Sequence, residues 1–140
     1  MSRTLFSLIG LIILVLALTG CGAASAVAET IQCSGDFEAT IYQGPSAGLS
    51  LVGPLSLQVD AAGNLTGELT ANDGALIEVT GQAIGRSINL VFNLGEDKRI
   101  FGVGSLENDI RDCKGLSGGP FTGPEPGDSG DWGYGIGGRS

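Results

Sequence analysis

The chain has 140 residues, a formal net charge of −8, 25 glycines and no histidine. This length allows one small domain, and the acidic balance argues against nucleic acid or anionic headgroups as partners. Without histidine, Ser-His-Asp and Cys-His catalysis lack their base, and imidazole-based zinc sites lack their ligand. A cationic ligand, a metal ion or simple solubility remains compatible with the charge.

The N-terminus predicts export. Met1-Ser2-Arg3 provides a short positive start, and an uncharged apolar run extends from Leu5 to Leu18. The run is shorter than the roughly 20 residues that cross a bilayer as a helix, but it suits the core of a signal peptide.

The residues that end this run, Leu18-Thr19-Gly20-Cys21, resemble the lipobox of bacterial lipoprotein precursors. The resemblance covers residues 1–22 and implies cleavage before Cys21. It also implies diacylglycerol on the Cys21 sulfur and acyl chains such as palmitate on the new amino group. Several acyl chains would anchor the protein stably to the extracytoplasmic face of a membrane.

A second cleavage site competes with the first. Ala26-Val27-Ala28 satisfies the small-x-small rule of ordinary signal peptidase, and cleavage there would release a soluble secreted domain. This site lies far from the end of the apolar core, and Cys21 intervenes. We therefore favour lipidation and a cell-envelope location.

Cysteine parity agrees with that choice. An exported protein with three cysteines leaves one unpaired, and lipidation of Cys21 accounts for it. Cys33 and Cys113 are then predicted to form a disulfide bond, which persists in an oxidising compartment. A redox role is the alternative, although the two residues do not form a Cys-x-x-Cys pair.

Between these cysteines, apolar residues recur with period 2, which is typical of half-buried strands. Glycine, asparagine and aspartate turn signals separate the runs, so sequential antiparallel hairpins are expected. The predicted strands lie within Phe37–Ile41, Leu55–Val59, Leu65–Leu69, Ile77–Val79, Ile88–Phe92 and Arg99–Ser105.

The predicted fold class is all-β, a small up-and-down antiparallel meander that curls into a closed or partly open barrel. A two-sheet sandwich is the alternative. Residues 42–54 are interpreted as a loop or an interrupted edge strand, and one helical turn is expected within 109–113. The predicted organisation is a signal peptide at 1–20, a tether at 21–32, a β-domain at 33–114 and a tail at 115–140.

The tail is rich in glycine and proline, so we expect it to be flexible. Phe121, Trp132 and Tyr134 are unusual in a linker, and they are our candidate contacts for a partner, or for docking over the barrel. The glycines of GYGIGG at 133–138 match nucleotide-binding fingerprints only weakly, without a strand before them and a helix after them, so we reject that reading.

Two acidic clusters offer carboxylate oxygens of the kind that calcium binds. Neither has the spaced ligand series of a known calcium loop. They are Glu125, Asp128 and Asp131, and Asn108, Asp109 and Asp112.

The sequence thus favours a lipid-anchored, extracytoplasmic binding or scaffolding β-domain, with no catalytic residues, cofactor or metal. Its partner is an unidentified protein or small molecule, not nucleic acid. A small-molecule carrier of the cell envelope and a hydrolase with two carboxylates are the alternatives. Six strands filled by their own side chains would leave a carrier little room.

Overall fold

The structure is a computed structural model that describes residues 29–139, so the predicted signal peptide and Cys21 lie outside the described residues. Within that range, no helix is long and apolar enough to cross a bilayer. One turn of 3-10 helix covers Ile110–Asp112. The strands are β1 (Ile31–Gln43), β2 (Ser50–Val59), β3 (Asn64–Thr70), β4 (Leu76–Ile84), β5 (Ser87–Gly95), β6 (Lys98–Leu106), β7 (Gly115–Thr122) and β8 (Ser129–Arg139).

The eight strands form a closed up-and-down antiparallel barrel. Each strand pairs with its neighbours in the chain, and β8 returns to pair with β1. This closing ladder runs from Cys33 opposite Arg139 to Gln43 opposite Ser129. The predicted all-β meander is confirmed as a fully closed barrel, and the sandwich alternative is not adopted. Closure removes the two edge strands that an open sheet of these eight strands would have.

The barrel interior is filled by side chains at alternate strand positions. At its centre the Phe37 ring lies 4.8 Å from that of Phe92 and is stacked 5.9 Å from that of Trp132, measured between ring centroids. Phe121 closes the cluster, 5.8 Å from Phe92 in an edge-on arrangement. These four aromatic residues are at most 5% exposed. Such tilted and offset ring pairs add to the stabilisation that burial alone provides.

The prediction of a flexible tail at 115–140 is wrong for the residues described. Gly115–Thr122 and Ser129–Arg139 supply β7 and β8, so the β-domain does not end at 114. In β8, Trp132, Tyr134 and Ile136 point inward, and glycines occupy the alternate positions. Burial of these three large side chains offsets the entropy that the glycines lose on ordering.

Pro120 interrupts the hydrogen bonding between β6 and β7, and the Trp132 side chain supplies one hydrogen bond in its place. Pairing of β6 with β7 stops after Gly102 opposite Phe121 and resumes at Ser105 opposite Gly118. Pro120 lies in this gap and has no N–H to donate. The indole N–H of Trp132 donates to the carbonyl oxygen of Val103 in the same gap, at 3.2 Å. The tryptophan therefore satisfies a backbone acceptor as well as filling the core.

Two further boundaries differ from the prediction. β1 begins at Ile31, inside the predicted tether, and the predicted loop at 42–54 shrinks to residues 44–49. Gly53 and Pro54 lie within β2. This part of β2 pairs only with β1, since its pairing with β3 begins at Leu55. A proline is tolerated where one side of the strand has no ladder.

One end of the barrel is closed by the segment between β6 and β7, where the predicted helical turn is confirmed. Ile110 is buried there, and the Arg111 guanidinium donates to the carbonyl oxygens of Asp60 and Glu29 at 3.0 and 2.8 Å. The predicted disulfide between Cys33 and Cys113 is present and fixes this segment to β1. We call this the disulfide end, and the opposite end the mouth.

The disulfide should contribute a large part of the stability. It closes a loop with a sequence separation of 80, which on the chain-entropy model corresponds to roughly 4 kcal/mol. The double variant Cys33→Ser/Cys113→Ser should therefore melt more than about 10 °C below the wild type. Reduction of the wild type should give a similar fall in calorimetry, and a melting temperature that neither change lowers would contradict the expectation.

The burial of Trp132 predicts its fluorescence. It is the one tryptophan of the chain and is 5% exposed. Folded protein should emit at shorter wavelength than free tryptophan and resist acrylamide quenching, and both properties should be lost in guanidinium. Emission from the folded protein that matches free tryptophan would show that β8 does not pack as described.

Candidate functional site

The residues proposed as partner contacts from the sequence are core residues. Phe121 and Tyr134 are each 1% exposed. The Tyr134 hydroxyl donates to the Leu55 carbonyl oxygen at 3.1 Å, and burial raises the pKa of this phenol. The structure brings Phe121 and Trp132 together around Phe37, but inside the barrel. Their expected role as a surface for a partner is therefore wrong.

The acidic clusters have local structural roles. Asp128 is buried, and its carboxylate accepts hydrogen bonds from the backbone N–H of Ser46 at 2.8 Å and of Glu125 at 2.9 Å. Desolvation opposes ionisation of Asp128, but these hydrogen bonds outweigh it and lower its pKa. Asp109 caps the 3-10 turn through Arg111 N–H. Within residues 29–139, no group of three or more potential ligand side chains could hold a metal ion.

The strongest candidate site is a groove on the outer wall of the barrel, which we call the outer groove. It crosses β7, β8, β1 and β2 and has a volume of about 440 Å³. The outward side chains and glycines that line it are Asp36, Glu38, Val52, Leu116, Gly133 and Gly135.

The floor of the outer groove is bare backbone. A Cβ atom added at Gly133 would meet nothing within 4 Å. A Cβ atom added at Gly135 would meet only a Leu116 methyl carbon at 3.6 Å and the backbone carbonyl oxygen of Asp36 at 4.0 Å. Neither glycine has a positive φ. By contrast, a Cβ at Gly130 would run into the backbone of Thr40. Packing thus requires glycine at 130, whereas neither packing nor backbone conformation requires it at 133 and 135.

The two walls of the outer groove differ chemically. Glu38 lies opposite Gly133 and Asp36 opposite Gly135 on the β1 side. On the β7 side, Leu116 lies opposite Gly135 and is 68% exposed. One wall therefore carries carboxylates and the other an exposed aliphatic side chain.

The charge along the outer groove has one sign. Of the described residues that line it, Asp36 and Glu38 are ionisable and acidic, and none is Lys or Arg. A smaller depression continues the groove past Glu38 and Gly133 towards Asp131 and Tyr42. The carboxylates of Asp36, Glu38 and Asp131 thus follow one another along the outside of the barrel where β1 pairs with β8.

A second cavity, of about 420 Å³, lies at the mouth. It opens beside the part of β2 that lacks a β3 partner, and its lining is mainly aliphatic. The aliphatic residues are Leu49, Leu51, Val52, Ala71, Ala75, Leu76, Ile77 and Leu94. Of the described residues that line this cavity, one is charged, Asp73, whereas the outer groove has two carboxylates.

Sequence reasoning missed the outer groove. In the sequence, Asp36 and Glu38 are the polar residues that alternate with Phe37 and Ala39, and Gly133 and Gly135 belong to the predicted tail. The available signal was the strict alternation of large and small residues from Asp131 to Gly137, which is a strand pattern with glycine on one face.

Comparison with known proteins leaves the chain without an assigned family. No protein-family model matches it, and no curated protein matches it in sequence.

Proposed function

We propose that this chain is a lipid-anchored, extracytoplasmic binding module that contacts its partner through the outer wall of the barrel. One observation carries the proposal: the centre of the barrel is occupied by its own aromatic side chains, whereas the outer groove is open. A partner then meets the outward residues of β7, β8, β1 and β2. No step of catalysis is needed for this role.

The anchor rests on the lipobox-like sequence at Leu18–Cys21 and on the disulfide, which suits an oxidising compartment. β1 begins at the disulfide end, so a lipid on Cys21 would direct that end towards the bilayer. The chain from Cys21 to Ile31 spans at most about 35 Å when fully extended. The acidic surface is repelled by anionic headgroups, which favours a barrel held above the membrane.

A small-molecule carrier is the second candidate function. The eight strands of the structure favour it more than the six strands that the sequence predicts. Eight strands are enough for a barrel to hold one small ligand. Here, however, Phe37, Phe92 and Trp132 fill the middle of the interior, so a ligand would be limited to the cavity at the mouth.

The hydrolase alternative is weaker. Asp36 and Glu38 are two residues apart on β1, so their Cα atoms are separated by about 7 Å. Glycosidases place their two carboxyl groups on opposite sides of the bond that they cleave. These two carboxylates share one wall, and both are exposed. They suit attraction of a cation better than acid and base catalysis.

The anchor can be tested with Cys21→Ser. Wild-type protein expressed in a bacterium should partition into the detergent phase of Triton X-114 and incorporate labelled palmitate. The variant should lose the label and move to the aqueous phase. The barrel melting temperature serves as a control and should not change. A wild type found in the aqueous phase would favour secretion after Ala28 and would contradict the anchor.

The binding surface can be tested by site-specific photocrosslinking in cells. A photoreactive amino acid at Leu116 should give a discrete adduct that the same amino acid at Ile84 does not give. Ile84 is the matched control because it is 67% exposed on β4, away from the groove. Identical adducts at both positions, or none at either, would contradict contact through the outer groove.

A further inference from the structure

We propose that the outer groove binds an extended, basic segment of a partner protein. Arginine or lysine side chains at alternate positions of that segment face Asp36 and Glu38, and the residues between them face Leu116. This inference rests on the proposed function, since it identifies the chemistry of the partner at the same surface.

The spacing of the carboxylates supports an extended occupant. Asp36 and Glu38 are alternate residues of one strand, about 7 Å apart along β1. Alternate residues of an extended peptide have the same spacing. Two basic side chains of a segment that runs along the groove can therefore meet both carboxylates at once, which a single compact cation cannot do.

The other wall and the floor define the rest of the occupant. Leu116 is 68% exposed, and the glycine floor allows the backbone of a ligand to approach closely, because no side chain rises from Gly133. An aliphatic residue between two basic ones would cover Leu116. The groove thus fits a segment that is basic on one side and apolar on the other.

Charge complementarity favours a basic protein over other partners. The charged side chains among the described residues that line the outer groove are the carboxylates of Asp36 and Glu38, and the whole chain carries a net charge of −8. Acidic polymers and anionic lipids are repelled by such a surface, whereas a basic partner is attracted from a distance and oriented before contact.

The test uses the purified full chain and labelled, end-capped hexapeptides. Gly-Arg-Leu-Arg-Leu-Gly should increase its fluorescence anisotropy on addition of the protein. Gly-Arg-Arg-Leu-Leu-Gly has the same composition but the wrong alternation and should bind more weakly, and Gly-Gln-Leu-Gln-Leu-Gly should lose at least about fivefold in affinity, because both ion pairs are absent. Salt at about 1 M, where the Debye length is about 3 Å, should strongly weaken the binding of the first peptide.

Two charge-matched variants distinguish the contribution of the outer groove to binding from that of the overall charge. Asp36→Asn/Glu38→Gln should weaken binding about fivefold, the loss expected for two exposed ion pairs. Glu68→Gln/Glu78→Gln removes the same charge from a facing pair on β3 and β4 and should leave the affinity unchanged. Gly133→Val should block the groove without a change in charge, since its Cβ has free space.

Several results would overturn the inference. These are equal losses in the two double variants, equal binding of the two arginine peptides, or binding of a neutral oligosaccharide in their place. Spermine that binds as tightly as the first peptide would show a site for small cations and would also overturn it. If photocrosslinking at Leu116 succeeds while the basic peptides fail, the proposed function stands and only this identification of the partner falls.

Discussion

The pairing of β8 with β1 is the interaction on which the rest of the structure depends. It joins the first and last strands over almost their whole lengths, from Cys33 opposite Arg139 to Gln43 opposite Ser129. Without it, both strands would be exposed edges, and the aromatic cluster around Phe37 would lose Trp132. The disulfide and the 3-10 turn reinforce this seam from one end, because Cys113 is bonded to β1 itself.

Glycine has opposite effects on the two faces of this seam. Inside, Gly102 and Gly104 leave room for the Trp132 indole, which an added Cβ at either position would crowd. Outside, Gly133 and Gly135 leave the floor of the outer groove uncovered. Because β8 alternates large residues with glycine, its large side chains fill the core, and its glycines leave a depression on the outer surface.

The sequence predicted the strands whose local pattern is sufficient and missed those that depend on distant partners. Leu55–Val59 and Ile88–Phe92 alternate cleanly, and both lie in strands of the barrel. The pattern alone does not predict β7 and β8, because glycine and proline normally favour disorder. The contacts that position Trp132 come from residues distant in the sequence, Phe37 on β1 and Val103 on β6. The outer groove could not be predicted, since it exists only after β8 has been brought beside β1.

The separation between core and groove has a consequence for how binding can change. Along β1, Phe37 points inward between Asp36 and Glu38, which point outward, so the residue that stabilises the core alternates with the residues of the proposed binding surface. Substitution of an exposed carboxylate typically alters stability by less than about 0.5 kcal/mol, whereas truncation of a buried aromatic residue costs about 3–5 kcal/mol. The outward positions can therefore be altered for a different partner while the barrel is kept, which a ligand site inside this filled interior would not allow.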